Sequence, residues 1–318
     1  MSQSNSKSNS KSKSKSKSQC NSKSKSNSTL ESESEQVRLQ RLLFERLFNA
    51  CGYGELREVK HLVRVGADVN TGSPHNDGMT PLSVASGCGH LEIVRFLFIS
   101  NADINKAANN GMTPLIAASG CGHLEIVRFL VISNADINKA TNTGGTPLIM
   151  ASNNGHVEVV TLLLDNHADI NKATNIGNTP LHTASYYGHV DVVTLLLQNH
   201  ADIEMTNNKG NTPLHDACSE GHLDTVDALL HAKANMLHIN NQGRTPLDVA
   251  KTNEIKQCII KHPWYRRRQL MLMRPHADHR SNKKNRMTAL AWILTAKETG
   301  DGEDVELFDL RRVVASFL

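Results

Sequence analysis

The tripeptide Thr-Pro-Leu begins at Thr80, Thr113, Thr146, Thr179, Thr212 and Thr245, each 33 residues after the last. A fixed period of that length restricts a chain to stacked supersecondary units, none of which buries its own apolar face without a neighbour. The surrounding residues recur in phase. A Gly stands two places before each Thr (Gly78, Gly111, Gly144, Gly177, Gly210, Gly243), suited to a tight turn with positive φ. Thr can cap a helix through its hydroxyl, and Pro suits the first helical position, where a missing N–H costs nothing. Each unit then carries Gly-His, an apolar run such as Val159, Val160, Leu162, Leu163 and Leu164, and an Ala that opens the next connection. That run gives a second helix a broad apolar face.

In this order the motifs resemble the ankyrin repeat family, from about Val37 to Ile260. The resemblance implies an all-α ankyrin repeat solenoid of about seven helix-turn-helix repeats, here with a short helical C-terminal extension. Two departures from the family pattern stand out. Its usual turn Asp is replaced by Ala108, Thr141, Thr174, Asn207 and Asn240, and the His after Thr-Pro-Leu occurs only at His182 and His215. Both changes predict a weaker hydrogen-bond network between repeats without loss of the fold.

Four segments are expected. Residues 1–34 alternate Ser with Lys, Asn and Glu, and with nothing to bury they predict a disordered tail. Residues 35–75 form a degenerate capping repeat with Glu45-Arg46 in the Thr-Pro slot, opened by an amphipathic helix from Gln36 to Phe48. Residues 76–260 hold the repeats, the last of them shortened, and the connection Thr71 to Met79 carries two more residues than later ones. Residues 261–318 are a basic extension with helical spacing at Met287 to Lys297 and at Glu303 to Leu318, where Leu307, Leu310, Val314 and Phe317 form one stripe. These two helices are expected to close the apolar end of the stack.

Charge follows the same segments. Basic residues outnumber acidic ones by 7 to 2 in residues 1–34, acids dominate 15 to 7 in 76–241, and bases lead 15 to 9 in 242–318. An acidic solenoid between basic flanks permits tail-to-solenoid attraction, screened by salt. With 39% apolar residues and no apolar run near 18, no membrane span is expected, and the N-terminus has no secretory h-region. The six cysteines form no CxxC. Cys88 and Cys121 share one phase, and equivalent helices about 8–10 Å apart put them beyond disulfide reach. Free thiols in a reducing, intracellular compartment follow, cytoplasmic or nuclear.

The family resemblance also implies where a partner protein would bind: the turn tips and the exposed surface of the first helix. The paired positions before each Gly-His are Gly52-Tyr53, Gly87-Cys88, Gly120-Cys121, Asn153-Asn154, Tyr186-Tyr187 and Ser219-Glu220. Three of the four tyrosines fall there, and Tyr makes a large, stiff, amphipathic anchor. The expected contact set is Tyr53, Met112, Met150, Ile176, His182, Tyr186, Tyr187, His215, Glu220 and Arg244, centred on Tyr186 and Tyr187.

No nucleophile-and-base pair, phosphate loop or paired carboxylates stand out, so a noncatalytic monomer without cofactor is expected. The recurring His90, His123, His156, His189 and His222 are read as structural, by phase. Cys258, His262, His276 and His279 have partial zinc spacing, but with a single Cys and a close second pair no metal is expected. Trp264, Tyr265 and Arg266 to Arg268 have the composition of a nucleic-acid patch, a nuclear-import patch or a solvated face, and nucleic acid is not the expected partner. Leu310-Arg311-Arg312 is faintly similar to the C-terminal box by which some ankyrin proteins dock to ubiquitin-ligase adaptors, though the Cys and Pro of that box are absent. The main reading is a protein-binding scaffold. An adaptor coupling a client to a second complex and a nucleic-acid-associated protein are the alternatives.

Overall fold

Each Thr of the recurrent tripeptide takes extended backbone, and Thr80, Thr113, Thr146, Thr179 and Thr245 accept a hydrogen bond from the amide three residues on. Pro fills the next position, so the helix starts with one orphan amide capped and one absent. The computed structural model describes residues 35–263, and all regular structure there is helical. In chain order the helices are α1 (Glu35–Tyr53), α2 (Leu56–Arg64), α3 (Pro81–Gly87), α4 (Leu91–Ile99), α5 (Pro114–Gly120), α6 (Leu124–Ile132), α7 (Pro147–Asn153), α8 (Val157–Asp165), α9 (Pro180–Tyr187), α10 (Val190–Gln198), α11 (Pro213–Glu220), α12 (Leu223–His231), α13 (Pro246–Val249) and α14 (Asn253–Lys261). None of them is long and apolar enough to cross a membrane. The tail 1–34, the basic stretch from Trp264 and both expected C-terminal helices lie outside the described residues.

Odd-numbered helices form one row and even-numbered helices a second. The first row carries buried alanines at its contacts, Ala85, Ala118, Ala151, Ala184 and Ala217, whereas the second carries Val, Ile and Leu, as at Val192, Val193 and Leu196. Small side chains let backbones approach, so the first helices pack more closely on each other than the second helices do. The stack therefore curves with the first row on its inner side. Burial of a Val or Leu contributes about 1.5–3 kcal/mol, and each repeat obtains it only from its neighbours.

Histidine fastens the repeats at the bend between helices. Nε2–H of His90, His123, His156, His189 and His222 donates to the carbonyls of Gly52, Gly87, Gly120, Asn153 and Tyr186, all at 2.9–3.0 Å. Their regular recurrence is thus structural.

The projecting hairpins keep their internal hydrogen bonds without the turn Asp, and of its replacements Asn207 and Asn240 also reach the preceding hairpin. Thr141 and Thr174 hydroxyls accept from Gly145 and Asn178 amides, and Asn207 accepts from both Lys209 and Asn211. In the repeat with Ala108, the Asn110 side chain takes the Met112 amide instead. A second ladder joins the tips: Asn142, Asn175, Asn208 and Asn241 each donate a side-chain amide to the carbonyl of the residue 33 places earlier. The two extra residues of the first connection widen one hairpin. Ser73 pairs with Met79 there, where Ala108 pairs with Met112 in the next repeat.

Asn207 also donates to Asn178 in the preceding hairpin at 3.0 Å. Asn207→Ala removes this bond and orphans two amides, and is expected to lower stability by about 1–3 kcal/mol, measured as the shift in urea midpoint.

Candidate interaction surface on the inner face

Tyr186 and Tyr187 end α9, where Gly188 caps the helix in the left-handed conformation at φ 75. A side chain at Gly188 would collide with the His222 ring, so backbone and histidine are tightly matched here. The two rings meet edge to face with centroids 5.1 Å apart, and Tyr187 stacks on His189 at 6.3 Å. Tyr186 is 43% exposed and Tyr187 50%, so both are held by neighbours yet open to contact. The Tyr186 carbonyl is fixed by His222. A pair packed in this way has little side-chain freedom left to lose.

The other expected contact residues divide into three groups. Ile176 at 63% exposed and Arg244 project from the hairpin row, and Glu220 is half-buried at the end of α11, next to α9 in the inner row. Met112 and Met150 are also half-buried. Met150 lies against the bare backbone of Gly120 and Gly145, filling room that side chains there would take. Tyr53 is 79% exposed but ends α1, four repeats from the pair, and at about 8–10 Å per step it stands roughly 32–40 Å away. The set is a strip along the inner face, with its aromatic weight at one place.

His182 and His215 do not belong to that surface. Both are fully buried. Nδ1 of His182 accepts from the Thr179 amide, which fixes the tautomer, and its Nε2–H donates to the Asn211 carbonyl in the next repeat at 3.0 Å. His215 repeats the arrangement with Thr212 and the Arg244 carbonyl. The imidazole is the right length to bridge a helix cap and the following hairpin, and bridging draws it under the surface.

Asn211 ties these bridges to the hairpins. Its carbonyl takes His182, its side-chain oxygen takes Asn240, its side-chain amide donates to Asp216, and its backbone amide goes to Asn207. Burial pushes the Asp216 carboxyl up to about 7, opposed by the Asn211 amide. Burial likewise holds His182 down at about 4, opposed by its bond to the Asn211 carbonyl. His215 is lowered for the same reason. Asp216 was not marked in the sequence reading, since a lone acid in a helix ordinarily faces water. Its position directly after a bridging His was the available sign.

Among the described residues no group of three or more His, Cys, Asp or Glu is arranged to hold a metal ion. Cys258 Sγ lies 4.0 Å from Asp227 and the His262 ring 5.9 Å from that of His231, while His276 and His279 fall outside the described residues. Cys88 and Cys121 are exposed free thiols on the inner strip. A further exposed apolar group, Phe98, Ile99 and Ile132, lies on the outer helices and was also missed. Aligning the repeats reveals it, because the positions equivalent to Ile99 are polar in later repeats.

A curved double row of helices with hairpin tips and a variable inner strip defines a repeat solenoid of the kind that mediates protein–protein interaction. The family pattern "Ankyrin repeats (3 copies)" matches residues 47–141, 133–207 and 196–261, and the chain belongs to the ankyrin repeat family. Among solved structures it is similar to the crystal structure of the human ASB11 ankyrin repeat domain, with 28% identity and a TM-score of 0.62 over 67% of this chain and 96% of that one. No curated protein sequence matches it.

The buried acid and histidine give opposite pH dependences. Between about 4 and 7 folded Asp216 keeps a proton that the unfolded chain releases, so its contribution to stability falls as pH rises. Between about 4 and 6.5 folded His182 refuses a proton that the unfolded chain takes up, so its contribution rises with pH. Asp216→Asn should unmask the histidine slope, giving a urea midpoint that climbs from pH 4.5 to 7. Displacement of the carboxyl from 3.8 to about 7 sets an upper bound of about 4 kcal/mol on the variant's gain at pH 8.

Proposed function

We propose that this chain is a noncatalytic scaffold whose inner face binds a partner protein, with Tyr186 and Tyr187 at the centre of the contact. The observation that carries the reading is the half-exposed, edge-to-face tyrosine pair, with the Tyr186 carbonyl held by His222 and the Tyr187 ring stacked on His189. Ordered aromatic side chains with polar ends are the residues that dominate binding energy at protein interfaces. Ile176, Met150, Glu220 and Arg244 supply the surrounding contacts, Met112 and Tyr53 the remote end of the strip, and His182 and His215 contribute indirectly, by bridging the starts of α9 and α11 to the next hairpins.

The adaptor reading has the solenoid select a client while residues beyond 263 recruit a second complex, and the nucleic-acid reading rests on the basic flanks, residues 1–34 and 261–318. A pulldown from cell lysate separates them, using the full chain, the Tyr186→Ala/Tyr187→Ala variant and a chain ending at Pro263. Loss of the partner with the tyrosines, together with its retention on truncation, is the expected result. In titration each tyrosine should cost about 2 kcal/mol, roughly 30-fold in affinity. Partners kept by the tyrosine variant and lost on truncation would overturn the proposal.

A further inference from the structure

The outer row of helices has its own pattern, independent of the inner strip. The residues at equivalent positions near the C-terminal end of α2, α4, α6, α8, α10 and α12 are Arg64, Ile99, Ile132, Asp165, Gln198 and His231. All six are exposed, and only the second and third are apolar. Ile99 is 78% exposed and Ile132 75%, with Phe98 beside them at 37%. Phe98 meets Phe129 edge to face at 5.5 Å, and the Arg95 guanidinium lies over the Phe129 ring at 5.9 Å. The result is an apolar patch two repeats wide. Isolated exposed apolar residues are ordinary, but neighbouring ones at a site that other repeats keep polar mark an interaction surface.

Charge runs across this patch in a fixed order. On one side α2 carries Arg57, Lys60 and Arg64 against Glu58, and Glu58 is already paired with Arg46. Across the patch itself charge cancels, through the pairs Arg95–Glu92 and Arg128–Glu125. On the other side α8 carries Glu158 and Asp165 and no cation. The outer surface therefore reads basic, apolar, acidic from α2 to α8.

One segment of this chain offers acids for the basic side and an apolar stripe for the patch, with its two arginines midway along that stripe. Residues 303–318 begin with Glu303, Asp304, Glu306 and Asp309, place Leu307, Leu310, Val314 and Phe317 at helical spacing, and carry Arg311 and Arg312 after the acids. As a helix, 16 residues span about 24 Å. The distance from α2 to α8, three steps of about 8–10 Å, is about 24–30 Å. Residues 264–302 link it to the solenoid, and an extended chain at about 3.3–3.6 Å per residue reaches well beyond the roughly 48–60 Å separating α14 from α2. The far end of the stack offers it less. Ile255 and Ile259 are already fully buried there, and none of the large exposed apolar side chains lies on α13 or α14.

We propose that residues 303–318 dock in cis as an amphipathic helix across the outer faces of α2, α4 and α6, with the apolar stripe on Phe98, Ile99 and Ile132 and the acids toward Arg64. This contact is on the opposite face from Tyr186 and Tyr187, so it stands or falls separately from the partner site.

Hydrogen exchange of the full-length protein, read by mass spectrometry, tests it. Ile99→Asp/Ile132→Asp should make amides within 303–318 exchange about tenfold faster than in the wild type, with the repeats' own core protection intact. Removing 303–318 should speed exchange at the C-terminal turns of α4 and α6. Should the double variant lose core protection, the charge-reversal variant Arg64→Glu, which touches only an exposed side chain, decides by the same readout. Exchange in 303–318 that is equal in the wild type and in a folded variant overturns the proposal. So does protection that grows with protein concentration alongside a doubled sedimenting mass, which would make a second copy the occupant. Protection acquired only when lysate proteins are added would overturn it as well, in favour of a foreign partner.

Discussion

Burial that only a neighbour can provide is the interaction on which the whole structure rests. A single pair of helices such as α9 and α10 exposes Leu181, Val192, Val193 and Leu196, and each of these is sealed by the repeats on either side. Because the inner row meets through alanines and the outer row through larger residues, the same contacts that stabilise the stack also curve it. Stability and the shape of the binding face therefore have one origin.

Polar contacts then set the register between repeats. The histidines of the bends, the two bridging imidazoles His182 and His215, and the asparagines of the hairpins all send hydrogen bonds to backbone groups of a neighbouring repeat. Each link spans a place where helix ends and turns leave amides and carbonyls without partners. In the α9–α11 region these links converge on Asn211, at the start of α11.

Positions free of stacking duty are those that differ among the repeats. On the inner side they run from Gly87-Cys88 through Asn153-Asn154 to Tyr186-Tyr187, a change from bare backbone to aromatic bulk along one strip. On the outer side they change from Arg64 through Ile99 and Ile132 to Asp165. One set of stacking rules thus leaves two faces on which chemistry can vary independently.

The 33-residue ladder was enough to read the helices, their caps, the turn glycines and the stacking order, because each is dictated by residues within a few positions of one another. The exposed tyrosine pair was also legible, since its place before Gly188-His189 sets its side of the helix. Three things were not. The fate of His182 and His215 depends on carbonyls 29 residues away, so only the stacked structure shows these imidazoles spent as bridges. The replacement of the turn Asp by Thr, Asn or a neighbouring Asn depends on hydrogen-bond geometry that spacing does not reveal. The outer patch needs residues of two repeats side by side. Local chemistry therefore determined what each repeat is. Tertiary stacking decided which of its polar groups are consumed and which apolar ones are left facing water, because both outcomes depend on groups that only a neighbouring repeat brings within reach.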